Sequence, residues 1–206
     1  MIKRTLYFGH PTRLSIQQQQ LLIKTDERET TVPVEDIGVL VIDHPQISLT
    51  HAVLHRLLDN NAAVITCNDK HHPTGLLLNL DGHTLQSEKF KAQLEASEPL
   101  RKQLWQQTVK AKIQNQAAVL NLWEIDVGML KRFGGQVLSG DTSNQEAQAA
   151  KYYWRVLFNE EDPFFVRERF GDYPNNFLNY GYAILRATVA RGLVASGLLP
   201  TLGIHH

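Results

Sequence analysis

The chain has 206 residues, 43% of them hydrophobic, and its 21 basic and 21 acidic residues leave no formal net charge. That length and apolar fraction suit one large domain or two small ones. No apolar run follows the opening basic residues as in a signal peptide, and no stretch reaches the roughly 20 apolar residues of a membrane span, so we expect a cytoplasmic protein. The single cysteine, Cys67, excludes a disulfide framework and a thiolate metal site.

Residues 1–80 predict a β-rich domain. Short apolar or alternating runs separated by turn residues are typical of strands, and they occur in RTLYFGH, RLSIQ, QLLIKT, TTVPV, IGVLVID, AAVITCN and GLLLNL. Between the fifth and sixth runs, SLTHAVLHRLLDN changes to helical spacing, with Ser48 or Thr50 as a candidate cap. We therefore expect a β-sandwich-like N-terminal domain that contains one helix.

Residues 81–88 are polar, contain an Asp-Gly turn signal and predict a linker. Helical patterns follow at about 88–97, 99–118, 120–133, 143–158 and 174–196. In the last of these, apolar residues recur at helical spacing and predict a core stripe of Leu178, Tyr182, Leu185, Val189 and Leu193. The fold class predicted is α+β, with an all-α domain over 89–206.

Several histidines are candidate metal ligands. His51 and His55 are four residues apart on one helix face, as in zinc sites, but the intervening AVL lacks a general-base glutamate, so a packed or surface pair is favoured. His71 and His72 lie beside a proline in a turn-like stretch. His205 and the terminal His206 have two interpretations, a purification tag or one corner of a metal site.

Glu146 has two competing interpretations. Ser143 and Glu146 have the S-x-x-E spacing of a capping box at a helix start, which would occupy the carboxylate structurally. A glutamate in a first helical turn can instead direct an oxygen outward and ligate a cation. Arginines of the C-terminal segment, including Arg167 and Arg186, could contact phosphates or pair with acidic neighbours.

Three runs occur in order in the second half of the chain: NQEAQAAKYYWRVLF, PNNFLNYGYAILRA and the terminal LPTLGIHH. With the opening RTLYFGH and the β-then-α organisation, they resemble the CRISPR-associated integrase of spacer acquisition, the larger adaptation protein, in its type II form. The resemblance covers essentially the whole chain. It implies an N-terminal β domain that mediates dimerisation, joined to an α-helical catalytic domain.

The resemblance also implies a site for Mg²⁺ or Mn²⁺ built from a glutamate, a histidine and a further acidic residue. By motif, Glu146 is the glutamate, and His206 fills the histidine position of a G-x-x-H pattern, with His205 as the alternate. Tyr153, Asn179 and Tyr182 fall in the motif runs and are expected to support the site. In relatives the remaining acidic ligand follows the histidine, so we expect a C-terminally truncated enzyme with impaired activity.

The implied reaction is phosphodiester transesterification, in which the 3′-hydroxyl of a captured DNA fragment attacks the repeat array. The implied partners are a second copy of the chain, a small second adaptation protein and double-stranded DNA. Arg167 and Arg186 are candidate phosphate contacts. Two alternatives stay open, a non-catalytic scaffold module that binds DNA and protein, and an unrelated helical binding module with a β-rich cap and no active site.

Overall fold

The structure is a computed structural model that describes residues 3–159, 162, 164–168 and 171–205. Its strands are β1 (Arg4–Phe8), β2 (Arg13–Gln17), β3 (Gln20–Lys24), β4 (Glu29–Pro33), β5 (Ile37–Ile42), β6 (Ser48–Leu49), β7 (Ala63–Cys67) and β8 (Pro73–Leu77). Its helices are α1 (His51–Asp59), α2 (Gln86–Leu94), α3 (Glu98–Leu122), α4 (Gly128–Gln136), α5 (Gln145–Leu157) and α6 (Asn175–Ala195).

The first sheet has the strand order β1-β5-β7-β8, in which the first three strands are parallel and β8 is antiparallel. The unbroken apolar run IGVLVI of β5 predicts a strand that is covered on both faces, and all its residues except Ile42 are buried. Leu40 packs into a core with the second sheet, whereas Val39 and Val41 pack on the opposite face beside Ala187 of α6.

The second sheet has the order β4-β3-β2-β6. β2 and β3 form an antiparallel hairpin whose turn residues Gln18 and Gln19 both have positive φ, 47° and 66°, as a type I′ turn requires. Leu14 and Leu21 of this hairpin are fully buried in the core shared with the first sheet. The two-residue strand β6 was not predicted, because two residues give no alternating pattern.

The chain divides into two compact units. Unit 1 comprises Met1–Gln93 with Asp172–Pro200, and it contains both sheets, α1, most of α2, and α6. Unit 2 comprises Leu94–Gly171 with Thr201–His206, and it contains α3, α4 and α5. This division differs from the predicted domains 1–80 and 89–206, because α6 groups with the sheets, and α2 begins inside the predicted linker 81–88.

Helix α6 packs on the first sheet through small residues. Its buried residues include Ala183, Ala187, Ala190 and Val194, and short side chains let a helix lie close to a sheet. The core stripe predicted from the larger apolar residues is wrong in its centre, since Tyr182, Leu185 and Val189 are 46%, 56% and 53% exposed. Both stripes have helical spacing, so periodicity could not separate them.

Unit 2 has a helical core of its own. α3 contributes Val109, Ile113 and Leu120, α4 contributes Leu130, and α5 contributes Tyr153. The predicted helix boundary near residue 119 is wrong, because α3 continues to Leu122 and α4 begins at Gly128. The predicted mixed α+β class, with sheets first and helices dominating afterwards, is confirmed. In the described part of the chain, none of the helices combines the length and the apolar composition that a membrane span requires.

Candidate functional site

The start of α5 is capped by Asp141. Its Oδ1 accepts the backbone N–H of Gln145 at 2.9 Å and its Oδ2 accepts that of Glu146 at 3.0 Å, so one carboxylate satisfies two donors that a helix start leaves open. The predicted capping box is therefore wrong. Ser143 Oγ instead accepts a hydrogen bond from the Gln145 side chain, and the cap position is taken by Asn144 in a left-handed conformation.

The carboxylate of Glu146 is consequently left out of the cap. Its Oε1 accepts a hydrogen bond from the Nζ of Lys112 on α3, and the two form an ion pair. The Glu146 side chain is 25% exposed and that of Lys112 is 46% exposed. Among the described residues, Lys112 is the hydrogen-bond donor to the Glu146 carboxylate, and solvent reaches both side chains.

Glu146 also lies in the wall of a cavity of about 630 Å³. Three basic residues, Lys151, Arg155 and Arg167, contribute to the same wall. Its other lining residues are aromatic, apolar or small, namely Ala147, Ala150, Trp154, Phe164, Phe165 and Val166. The site thus combines one carboxylate with cationic side chains and the exposed ring of Phe164.

The predicted supporting residues of unit 2 have different positions. Tyr153 is 8% exposed, belongs to the helical core and packs its ring 4.8 Å from that of Trp154. Arg167 places its guanidinium 5.9 Å from the centre of the Trp154 ring, a cation–π contact, and donates to the Glu168 carbonyl at 2.6 Å. Trp154 therefore links a buried tyrosine to a basic residue of the cavity wall.

The two terminal histidines are only partly described. His205 stacks on Trp105 of α3, with ring centroids 4.4 Å apart and an interplanar angle of 21°. His206, the histidine favoured by the G-x-x-H pattern, lies outside the described residues. The structure therefore places the alternate histidine in unit 2, the unit that carries Glu146.

Three further predicted residues belong to α6 in unit 1. Asn179, Tyr182 and Arg186 follow one another at spacings of three and four residues and therefore share a helix face. Arg186 lines two grooves, one beside β8 and one along the exposed side of α6 with Leu193 and Pro200.

The remaining histidine candidates make ordinary contacts. The His51 and His55 rings stack with centroids 6.4 Å apart, and His55 pairs with Asp59 at 3.5 Å. His71 Nδ1 lies 3.0 Å from the buried Asp43 carboxylate, whose other oxygen accepts the Tyr7 hydroxyl at 2.8 Å. Within the described part of the chain, no three His, Cys, Asp or Glu residues are grouped to hold a metal ion.

The Asp43 cluster, which the sequence did not reveal, shifts the titration of its neighbours. The hydrogen bond to Asp43, reinforced by burial, raises the pKa of Tyr7 above its usual value. Burial, reinforced by the Asp43 charge, raises the pKa of the Cys67 thiol to about 11. The cluster therefore gathers polar groups around the buried Asp43 at the carboxyl ends of parallel strands.

Sequence reasoning also missed Lys112 and Asp141. Asp141 had a signal, since aspartate is a common capping residue and this one follows Gly140 just before a helical pattern. Lys112 had none, because it lies 34 positions from Glu146 and is one of several lysines on a predicted helix.

The donor set fits a divalent cation in one respect. A carboxylate is a ligand that Mg²⁺ and Mn²⁺ prefer. The Glu146 carboxylate already binds one cationic group, the ammonium of Lys112. The described residues supply this single oxygen ligand, beside the basic residues Lys112, Lys151 and Arg155.

Comparison with known proteins identifies the family. The family model described as CRISPR associated protein Cas1 matches residues 6–206. The CRISPR-associated endonuclease Cas1 of Neisseria meningitidis serogroup C (strain 8013) is 41% identical over 208 residues, which cover 100% of this chain and 67% of that relative.

Two solved structures are similar in fold. A CAS1 protein from Thermotoga maritima has a TM-score of 0.78 at 17% identity, over 98% of this chain and 68% of that one. A casposase bound to integration product has a TM-score of 0.76 at 23% identity, over 100% of this chain and 65% of that one. Because the family model spans nearly all of the sequence and the Neisseria relative is 41% identical, the chain belongs to the Cas1 family of CRISPR-associated proteins.

Proposed function

We propose that this chain provides the catalytic glutamate of a divalent-metal-dependent DNA endonuclease and integrase of CRISPR adaptation. The reaction is attack of the 3′-hydroxyl of a captured DNA fragment on a phosphodiester of the repeat array. The observation that carries the proposal is the Glu146 carboxylate, which the Asp141 cap leaves available in the wall of a cavity with basic and aromatic residues.

In this proposal Glu146 ligates Mg²⁺ or Mn²⁺ together with His206, with His205 as the alternate. The cation, when bound, stabilises the negative charge that develops on the attacked phosphate. The histidine would ligate through a neutral ring nitrogen. Asp141 fixes the first turn of α5 and thereby the position of Glu146.

The cavity wall supports DNA as the substrate. Lys151, Arg155 and Arg167 can neutralise backbone phosphates, which makes binding strongly dependent on salt concentration. The 89% exposed Phe164 presents a ring face on which a base can stack. A cavity of this composition suits a nucleic-acid strand better than a small neutral metabolite.

We propose that the β-rich domain mediates formation of a homodimer and that the dimer works with the small second adaptation protein on double-stranded DNA. We further propose, from the motif runs of the sequence, that Asn179 and Tyr182 of α6 contribute to the reaction and that Arg186 contacts a DNA phosphate. A cytoplasmic location is part of the same proposal.

The proposal is tested with two forms of the protein, the 206-residue chain and a chimaera that adds the part of the Neisseria relative that this chain does not match. Each is incubated with a labelled DNA fragment and a leader–repeat duplex, with Mn²⁺ or with EDTA. We expect the chimaera to give strand-transfer products with Mn²⁺ and none with EDTA. DNA binding without any transfer or cleavage in either form would support the non-catalytic scaffold and refute the enzyme.

A further inference from the structure

Helix α6 carries apolar residues on two opposite sides. Ala183 and Ala187 lie on the side that packs on the first sheet, and they are 7% and 1% exposed. Leu185 and Val189 lie on the other side, and they are 56% and 53% exposed. A helix that is apolar on both sides is typical of an element enclosed within a core. The first sheet therefore covers the side with the small residues and leaves the side with the large ones open.

The open side of α6 forms one wall of a groove of about 270 Å³. Leu185, Val189 and Leu193 line this groove and follow one another at spacings of four residues, which makes a ridge along the helix. Gly197, with a φ of 75°, turns the chain back after α6. Beyond this turn, Pro200 also lines the groove. The segment that leaves α6 thus runs beside the ridge.

The size of the groove favours an occupant that is attached to the chain. The few side chains of the ridge offer far less than the roughly 800 Å² that each partner buries in a standard protein–protein interface. A separate partner, including a second copy of the chain, would also lose translational and rotational freedom on binding. An attached segment has a millimolar effective concentration, so a small contact suffices to hold it. A segment joined to the C-terminus begins within about 20 Å of the groove, since His206 is six positions beyond Pro200.

We infer that this groove receives an amphipathic helix from the part of a Cas1 chain that lies outside the matched residues. This chain covers 67% of the Neisseria relative, so about a third of that relative lies outside the match. A helix fits the groove because rows of side chains spaced by four on one helix pack between the rows of another. Its contacting side carries large apolar residues, since the ridge that it meets is apolar. This docking involves neither Glu146 nor a metal ion, so it can fail while the proposed function holds.

The accessibility of position 185 tests this docking. Leu185→Cys is introduced into the 206-residue chain and into the chimaera with the unmatched part of the Neisseria relative. The rate of maleimide labelling at this position is measured by peptide mass spectrometry. We expect labelling to be about tenfold slower in the chimaera, because the docked helix restricts access to the thiol. Thr188→Cys is the matched control and should react equally fast in both forms, since Thr188 is exposed and lies about 100° around the helix from Val189.

Three results would overturn the docking of an attached helix. Equal labelling of Leu185→Cys in the two forms would show that the added part leaves the groove open. Slow labelling already in the 206-residue chain, and slower still at higher protein concentration, would assign the groove to a second copy. Slow labelling only in the presence of a DNA duplex would assign it to nucleic acid.

Thermal denaturation gives a second, independent measurement. Leu185→Ala should lower the Tm of the chimaera by about 5 °C or more, because it leaves a cavity under the docked helix. In the 206-residue chain, where Leu185 is exposed, the same substitution should shift the Tm by under about 2 °C. Equal, small shifts in the two forms would contradict the docking.

Discussion

Replacing Asp141 with asparagine isolates the carboxylate that caps α5. Asparagine has nearly the same shape and tolerates the positive φ of 48° found here, so the variant adds no backbone strain of its own. It keeps one oxygen acceptor, loses the second, and removes the charge that favours a helix start. One of the N–H groups of Gln145 and Glu146 is then left facing an amide NH₂.

We expect the free energy of unfolding to fall by about 2 kcal/mol, because a hydrogen bond to a charged acceptor is worth about 1.5–3 kcal/mol. The variant loses one of the two hydrogen bonds, and the acceptor of the other is no longer charged. The measurement is urea denaturation followed by circular dichroism. Ser143→Ala is the control, since Ser143 is the cap that the sequence predicted, and it should cost under about 1 kcal/mol. An Asp141→Asn variant as stable as the wild type, or a Ser143→Ala variant that is the less stable of the two, would refute this assignment of the cap.

Two further predictions concern unit 1. At pH 8, iodoacetamide should label Cys67 in the native protein about a hundredfold more slowly than in the unfolded chain, because the folded pKa is about 11 against an ordinary 9.0. The Asp43→Asn variant should be labelled faster than the native protein. Equal labelling rates for the native and unfolded protein would contradict the raised pKa. With the folded pKa raised, the thiol stabilises the fold at neutral pH, and this contribution is lost as the pH rises from 9.0 towards about 11. Ala187→Leu should lower the free energy of unfolding by about 1–3 kcal/mol, because Ala187 is 1% exposed and packs against the sheet. Leu185→Ala, on the exposed side of α6, should change it by under about 0.5 kcal/mol. Comparable losses for the two variants in thermal denaturation would contradict the assigned face of α6.

The strands could be predicted from the sequence because local pattern and burial agree there. In β5 an unbroken apolar run reflects cover on both faces, and in β2 and β3 the residues of one face are buried as alternation predicts. The motif run around Glu146 likewise placed this residue in the first turn of a helix.

The electrostatic environment of Glu146 could not be predicted in the same way. The spacing S-x-x-E is consistent with a capping box. The carboxylate of Asp141, two positions before Ser143, accepts the backbone donors at the helix start instead, because a charged acceptor makes stronger hydrogen bonds than a hydroxyl. The partner Lys112 depends on how α3 packs against α5, which no local pattern encodes. The side of α6 that packs on the sheet was also missed, because alanines carry a weaker hydrophobic signal than the leucines on the other side.

The most direct test of Glu146 as the catalytic carboxylate is the rate of Mn²⁺-dependent strand transfer by the chimaera carrying Glu146→Gln. Glu98→Gln is the matched control, since Glu98 also lies in a first helical turn and pairs with a lysine, Lys102, at 2.7 Å. We expect Glu146→Gln to lose about a thousandfold or more in rate, the scale of removing a main electrostatic contribution at an active site, and to stay folded, with Glu98→Gln near the wild type. Strand transfer by Glu146→Gln within a few-fold of the wild type would contradict the role of Glu146.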